Sequence, residues 1–197
     1  VYKRTGVRIE IIDGAEEASI IASTDISSLI QKDKDYLYID VGGGSTEFTV
    51  FSKGKVKKSR SFPIGTVRLL DNKVSDKTWE DVEKWIKKHT KDCEHIEAIG
   101  SGGNINKIHK NSNSKEGEPL SYQYLTDYHN YVSGFSYEER IRLLGFNPDR
   151  ADVILYALTV FTNAMKWSGA EIVHVPRIGL ADGIVRTIYN KENNVIK

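Results

Sequence analysis

The chain reads as an α/β fold built on a mixed sheet, and three observations point that way. Strand-like runs crowd together early: Tyr36 to Val41, Thr46 to Ser52 and Lys55 to Phe62 follow one another as a meander does. Beyond them, short apolar runs alternate with stretches of helical period, which sets further strands beside helices. Two glycine-rich segments, Gly42 to Gly44 and Gly100 to Gly103, stand at strand ends, where α/β folds place their ligands.

Taken in order, Val7 to Ile12 is rich in β-branched residues and predicts a strand, turned by Asp13-Gly14. Ala15 to Ile30 carries helix formers, and the charged run Gln31 to Asp35 marks a boundary between residues 1–33 and 34–197. The three meander strands come next, the last two joined by Lys53-Gly54, a tight-turn pair. Pro63 ends that unit. Asp76 to His89 predicts an amphipathic helix, with Trp79, Val82, Ile86 and His89 on one face and Ser75 or Asp76 as the cap. Ile96 to Gly100 is a short strand running through Ser101-Gly102-Gly103 into another helix. Asn111 to Pro119 is a polar loop. Asn147-Pro148 opens one long helix, buried over Ala151 to Trp167. Glu171 to Val175 predicts the fifth strand of the sheet, and Gly179 to Tyr189 a final helix.

Composition narrows the function classes. The 28 basic and 27 acidic residues leave a net charge of +1, which removes any bulk electrostatic case for nucleic acid or anionic membrane. Hydrophobic content of 39% over 197 residues suffices for a core and argues against general disorder. A lone Cys93 forms no internal disulfide and no zinc site, so a reducing, cytoplasmic setting is expected. Ala151 to Trp167 is too short and too polar to span a bilayer. The sole methionine is Met165, so Val1 is not an encoded start, and the chain is read as a piece of a longer protein.

The densest chemical signal is Asp40-Val41-Gly42-Gly43-Gly44-Ser45-Thr46-Glu47. Three glycines let backbone amides approach an anion, and with the Ser45 and Thr46 hydroxyls they form a nest for phosphate oxygens. Asp40 and Glu47 flank that nest and can hold Mg²⁺. The plainer alternative is a glycine-rich hairpin turn without a ligand. Gly100, Ser101, Gly102 and Gly103 form a second loop at a helix start, suited equally to an anion or to a tight strand-to-helix turn. On spacing alone, Glu16-Glu17 is a helix-start acidic pair.

The segments Ile9 to Ala18 (IEIIDGAEEA), Tyr38 to Glu47 (YIDVGGGSTE), Phe62 to Gly65 (FPIG), Ile99 to Ile105 (IGSGGNI) and Arg150 to Ile154 (RADVI) together resemble the Ppx/GppA phosphatases, the exopolyphosphatases and guanosine pentaphosphate phosphohydrolases. That resemblance runs in order from about Thr5 to Ile188. It implies the actin-like ATPase (ribonuclease H-like) fold: a five-stranded mixed sheet flanked by helices over residues 34–197, preceded over residues 1–33 by the remnant of a first, similar domain. It also implies Glu17 as the catalytic base that activates water. Ser19 stands where the family has Arg, and Ala181-Asp182 where it has Arg-Glu. The family's first phosphate loop, D-x-G-S-N-S, has no counterpart in these 197 residues.

The resemblance therefore implies a Mg²⁺-dependent hydrolase releasing terminal phosphate from inorganic polyphosphate or guanosine pentaphosphate, with this chain alone expected to be inactive. A non-catalytic phosphate sensor and an actin-fold kinase are the alternatives. No membrane or specific nucleic-acid partner is expected, and an exposed strand edge would admit a homodimer. Lys53, Lys55, Lys57, Lys58 and Arg60 put five cations in eight residues, either as solvated protection of an edge strand or as a guide for a long polyanion. The five histidines show no metal-ligand spacing. Trp79, Trp85 and Trp167 read as packing residues.

Overall fold

A computed structural model describes residues 30–176, together with 2–6, 8, 185 and 189. The strand expected over Val7 to Ile12 and the helices expected over Ala15 to Ile30 and Gly179 to Tyr189 lie outside these, single positions aside. The described elements are α1 (Tyr2–Thr5), β1 (Asp35–Val41), β2 (Thr46–Ser52), β3 (Lys55–Phe62), α2 (Thr66–Leu70), α3 (Asp76–Thr90), β4 (Ile96–Ser101), α4 (Gly103–Asn111), β5 (Leu120–Ser121), α5 (Tyr122–Ser133), α6 (Tyr137–Arg142), α7 (Pro148–Ala151), α8 (Ile154–Ser168) and β6 (Ile172–His174).

One mixed sheet runs in the order β3-β2-β1-β4-β6-β5. The meander β1-β2-β3 is antiparallel, β4 and β6 join in parallel, and β5 closes the far edge antiparallel to β6. The sheet is the mixed, helix-flanked one expected, with the two-residue β5 added as a sixth strand. That strand follows the polar loop, and nothing so short leaves a periodic trace.

Strand position follows from side-chain pattern. β1 (DYLYIDV) is apolar on both faces and lies inside the sheet, its middle residues buried. β3 (KVKKSRSF) is polar almost throughout and lies at the edge, exposed except at Ser59 and Phe62. Between β2 and β3, Lys53 (φ 52°) and Gly54 (φ 74°) both take the left-handed conformation that a two-residue hairpin loop requires.

The main core lies on the face carrying Leu37, Ile39 and Val41, against Val82 and Ile86 of α3 and Leu158, Phe161 and Met165 of α8. The opposite face holds a smaller buried cluster of Tyr36, Tyr38, Phe51 and Ile99, with Ile30 packed against it. Ser75 caps α3 by accepting the Thr78 amide, as the sequence suggested. Trp85 is buried among Phe48 and Phe62, and Trp79 meets Trp167 edge-on.

The single long helix expected after Asn147-Pro148 is instead two, α7 and α8, interrupted at Asp152-Val153. Asn147 precedes the first without a side-chain capping bond. Arg140 donates to the Ala151 carbonyl at 3.2 Å, occupying an acceptor at the break. That partner comes from α6, and no local pattern announces it.

Candidate active site

Parallel and antiparallel neighbours bring the two glycine loops to the same end of the sheet. Asp40, near the end of β1, is the register partner of Glu47 on β2 and of Ser101 on β4. The first loop, Gly42 to Ser45, joins β1 to β2; the second, Gly102-Gly103, joins β4 to α4. They meet at Asp40. A Cβ added at Gly102 would lie 2.9 Å from the Val41 carbonyl oxygen and 3.6 Å from Asp40 Oδ1. With φ at +108°, Gly102 also adopts a backbone that a side chain would strain.

The first loop is held from behind by the chain after β3. Its carbonyls are consumed: Gly42 accepts from the Thr66 amide, Gly43 from those of Val67 and Arg68, and Gly44 from Arg68 Nε at 2.8 Å. Gly42 donates its amide to Ser45, whereas the amides of Gly43, Gly44 and Ser45 meet no acceptor among the described residues. Donors without acceptors are what an anion nest needs. Gly65 explains the F-P-I-G segment, since a Cβ there would sit 2.3 to 2.5 Å from Gly43 and Gly44 backbone atoms. Only glycine lets the two stretches stack.

Side chains sort into two groups. Ser45 and Ser61 both donate to Glu47 Oε1, at 2.7 and 2.6 Å, fixing that carboxylate beside the loop. Thr46 is buried and its hydroxyl donates to the Ile64 carbonyl, so this side chain locks the loop to Phe62–Gly65 rather than lining the nest as expected. Gly100 is likewise a packing residue: a Cβ there would crowd Phe161, Ile105 and Val173. Ser101, the last residue of β4, and Gly102 of the second loop are the residues there that reach Asp40.

Electrostatics mark Asp40 out. Burial pushes its carboxyl above the ordinary aspartate range, and the nearby charge of Glu47 adds to that. Hydrogen bonds from Ser101 and from Tyr38, whose hydroxyl is 3.2 Å from Oδ2, pull the other way. A half-buried carboxyl beside a second carboxylate is a place where a cation would be welcome. Among the described residues no group of three or more His, Cys, Asp or Glu could hold a metal, so any ion there would draw oxygens from elsewhere too.

Two arginines at the loops had no role assigned from sequence, although Arg150 opens the RADVI segment. Arg68 lines a cavity of about 500 Å³ with Gly43, Gly44, Val67, Asp71 and Lys73. Arg150 lies against Gly103, where an added Cβ would meet its guanidinium at 2.4 Å, and donates to Asn104 at 3.3 Å. Glycine spacing shows the loops but not the residues from distant segments that cover them. Glu17 lies outside the described residues.

Comparison with known proteins bears on the same residues. The model of the Ppx/GppA phosphatase family matches residues 1–192. The chain belongs to the Ppx/GppA phosphatase family. A curated relative, the bifunctional 3-dehydroquinate synthase/phosphatase of Fusobacterium nucleatum, is 26% identical over 212 residues, covering 97% of this chain and 32% of that protein. The chain thus spans about a third of that relative. Its fold matches the Ppx/GppA family member of Aquifex aeolicus (TM-score 0.73, 21% identity, 98% of this chain and 68% of that one). It also matches an exopolyphosphatase from Cytophaga hutchinsonii (TM-score 0.77, 20% identity, 96% and 68%). The fold is accordingly the actin-like ATPase type that this family shares.

Proposed function

We propose that this chain supplies the phosphate-holding side of a hydrolase that releases terminal phosphate from a phosphoanhydride, inorganic polyphosphate or guanosine pentaphosphate. The observation that carries the reading is Asp40 set between two glycine loops, one of which presents three amides that meet no acceptor among the described residues. Cleaving a phosphoanhydride leaves a protein mainly the tasks of positioning and charge stabilisation.

The amides of Gly43, Gly44 and Ser45 hold the oxygens of the terminal phosphoryl group. Asp40 and Glu47 fit Mg²⁺, which takes one or two carboxylates and completes its shell with substrate phosphates and water. Bound there, the ion would draw charge from the leaving oxygen. Glu17, within residues 1–33 and given this role by the family resemblance, orients and deprotonates the attacking water. Family membership supports the phosphatase class, and the name of the Cytophaga hutchinsonii neighbour supports polyphosphate as a substrate to try first.

The test is phosphate release by the complete protein from polyphosphate and from guanosine pentaphosphate across a Mg²⁺ titration, with Asp40→Asn beside wild type. Release that needs Mg²⁺ and falls at least 100-fold in the variant is expected, the order lost with an electrostatic transition-state contact. Metal-independent release, or full activity in Asp40→Asn, would overturn the reading.

A further inference from the structure

The three first-loop amides that meet no acceptor among the described residues belong to consecutive peptides: Gly42-Gly43, Gly43-Gly44 and Gly44-Ser45. In a planar trans peptide the N–H points away from the C=O. Whatever holds the three carbonyls therefore also aims the three donors. The Gly42 carbonyl accepts from the Thr66 amide at 2.9 Å, and the Gly43 carbonyl from the Val67 and Arg68 amides at 3.0 and 3.3 Å. The backbone of α2 thus pins two of the peptides. The third is held differently: the Gly44 carbonyl accepts from Arg68 Nε at 2.8 Å, a side chain and no backbone amide.

Packing does not replace that bond. A Cβ added at Gly44 would meet nothing within 4 Å, and glycine itself resists few backbone rotations. Ser45 is fixed on its other side, with its hydroxyl on Glu47 and its carbonyl on the Gly42 amide. Arg68 is exposed, and it has no carboxylate partner among the described residues; nearby Asp71 pairs with Lys73 at 2.8 Å. A guanidinium on a carbonyl is a charge-assisted bond, and it polarises the peptide so that the N–H at the other end becomes a stronger donor.

We propose that Arg68 is a positioning residue for the phosphate nest: it holds the Gly44-Ser45 peptide so that the Ser45 N–H faces the terminal phosphoryl group, and it strengthens that donor. The inference rests on the hydrolase reading above and adds to it a residue that touches no substrate. Arg68 lies on the carbonyl side of the loop, and the open amides point the other way. The guanidinium therefore acts through the peptide and not on the phosphate. A lysine there would supply charge without the planar fork and would hold the carbonyl less firmly.

The experiment uses the complete protein as wild type, Arg68→Met, which keeps the stem but removes donor and charge, and Arg68→Lys. Release from tripolyphosphate gives kcat and KM, calorimetric titration with inorganic phosphate gives binding, and thermal melting reports the fold. Arg68→Met should lower kcat roughly 10- to 100-fold, less than deleting a donor outright, and should weaken phosphate binding. Its melting temperature should stay within about 2 °C of wild type, as for an exposed side chain. Arg68→Lys should recover part of the loss. Guanidinium ion at low millimolar concentration can enter the cavity beside Gly43 and Gly44, and it should raise the Arg68→Met rate several-fold without raising that of wild type. Unchanged kcat and phosphate binding in Arg68→Met would overturn the inference. So would a loss that follows a fall in melting temperature and is recovered neither by Arg68→Lys nor by guanidinium. Phosphate binding separates this from the parent reading. If wild type releases no phosphate yet binds it, and Arg68→Met weakens that binding until guanidinium is added, the hydrolase reading fails and the role of Arg68 stands.

Discussion

Asp40 carries a cost that the rest of its surroundings do not remove. Burial raises its carboxyl above 3.8, so the neutral form is the one the fold favours. Its contribution to stability is therefore complete below about pH 3.8 and is lost as pH rises through the folded-state value. Replacing it with Asn removes an ionisation that the fold resists at neutral pH. Asp40→Asn should melt higher than wild type at pH 7, by on the order of a few degrees, and the gap should narrow toward pH 4. Added Mg²⁺ should raise the wild-type melting temperature and leave the variant's unmoved. A variant that melts lower at pH 7 would show that the hydrogen bonds from Tyr38 and Ser101 outweigh the burial cost. Gly65 offers a second contrast at this scale. Gly65→Ala forces a methyl within 2.5 Å of the first loop's backbone and should cost about 1–3 kcal/mol in chemical denaturation, whereas Gly44→Ala meets open space and should cost far less. Neither difference was legible in the motif, where both residues are simply glycine.

Among elements, the meander was the most legible part of the chain, because its signals are local. β2 and β3 begin and end where alternation and turn residues set them, and Lys53-Gly54 forms the two-residue loop anticipated. That loop also holds a residue poorly suited to its conformation. Lys53 sits at φ 52°, which Asn tolerates better than a long side chain, so Lys53→Asn should stabilise the fold by roughly 0.5–1 kcal/mol in denaturant unfolding. What stayed hidden depends on distant partners. The break between α7 and α8 coincides with Arg140 reaching Ala151, and β5 exists because Leu120 and Ser121 pair with Val173 and Ile172. The register that brings Ser101 beside Asp40 is likewise a matter of β1 meeting β4 across 60 residues of chain, which no motif spacing encodes.

At the scale of the whole molecule, the described residues hold the glycine loops and carboxylates proposed to form one side of a phosphate site. Its loops carry donors and carboxylates, but no base in position to activate water has been located among them. The family resemblance gives that role to Glu17, in the proposed remnant of a first domain, and these 197 residues include no D-x-G-S-N-S loop to face Asp40. If catalysis needs two opposed loops, residues 1–197 expressed alone should bind phosphate chains through Gly43, Gly44 and Ser45 yet release little phosphate. The complete protein should release it, and there Glu17→Gln should lower kcat by roughly 100- to 10,000-fold, the span for losing a general base. A Glu17 that acts on the water rather than on the phosphate oxygens would leave KM little changed. Phosphate release by all three proteins under one Mg²⁺ concentration decides the matter. Robust turnover by residues 1–197 alone would remove the need for an opposing loop. A Glu17→Gln protein with an unchanged kcat would return that residue to a helix-start acid, and a large rise in KM would make it a substrate-binding group instead.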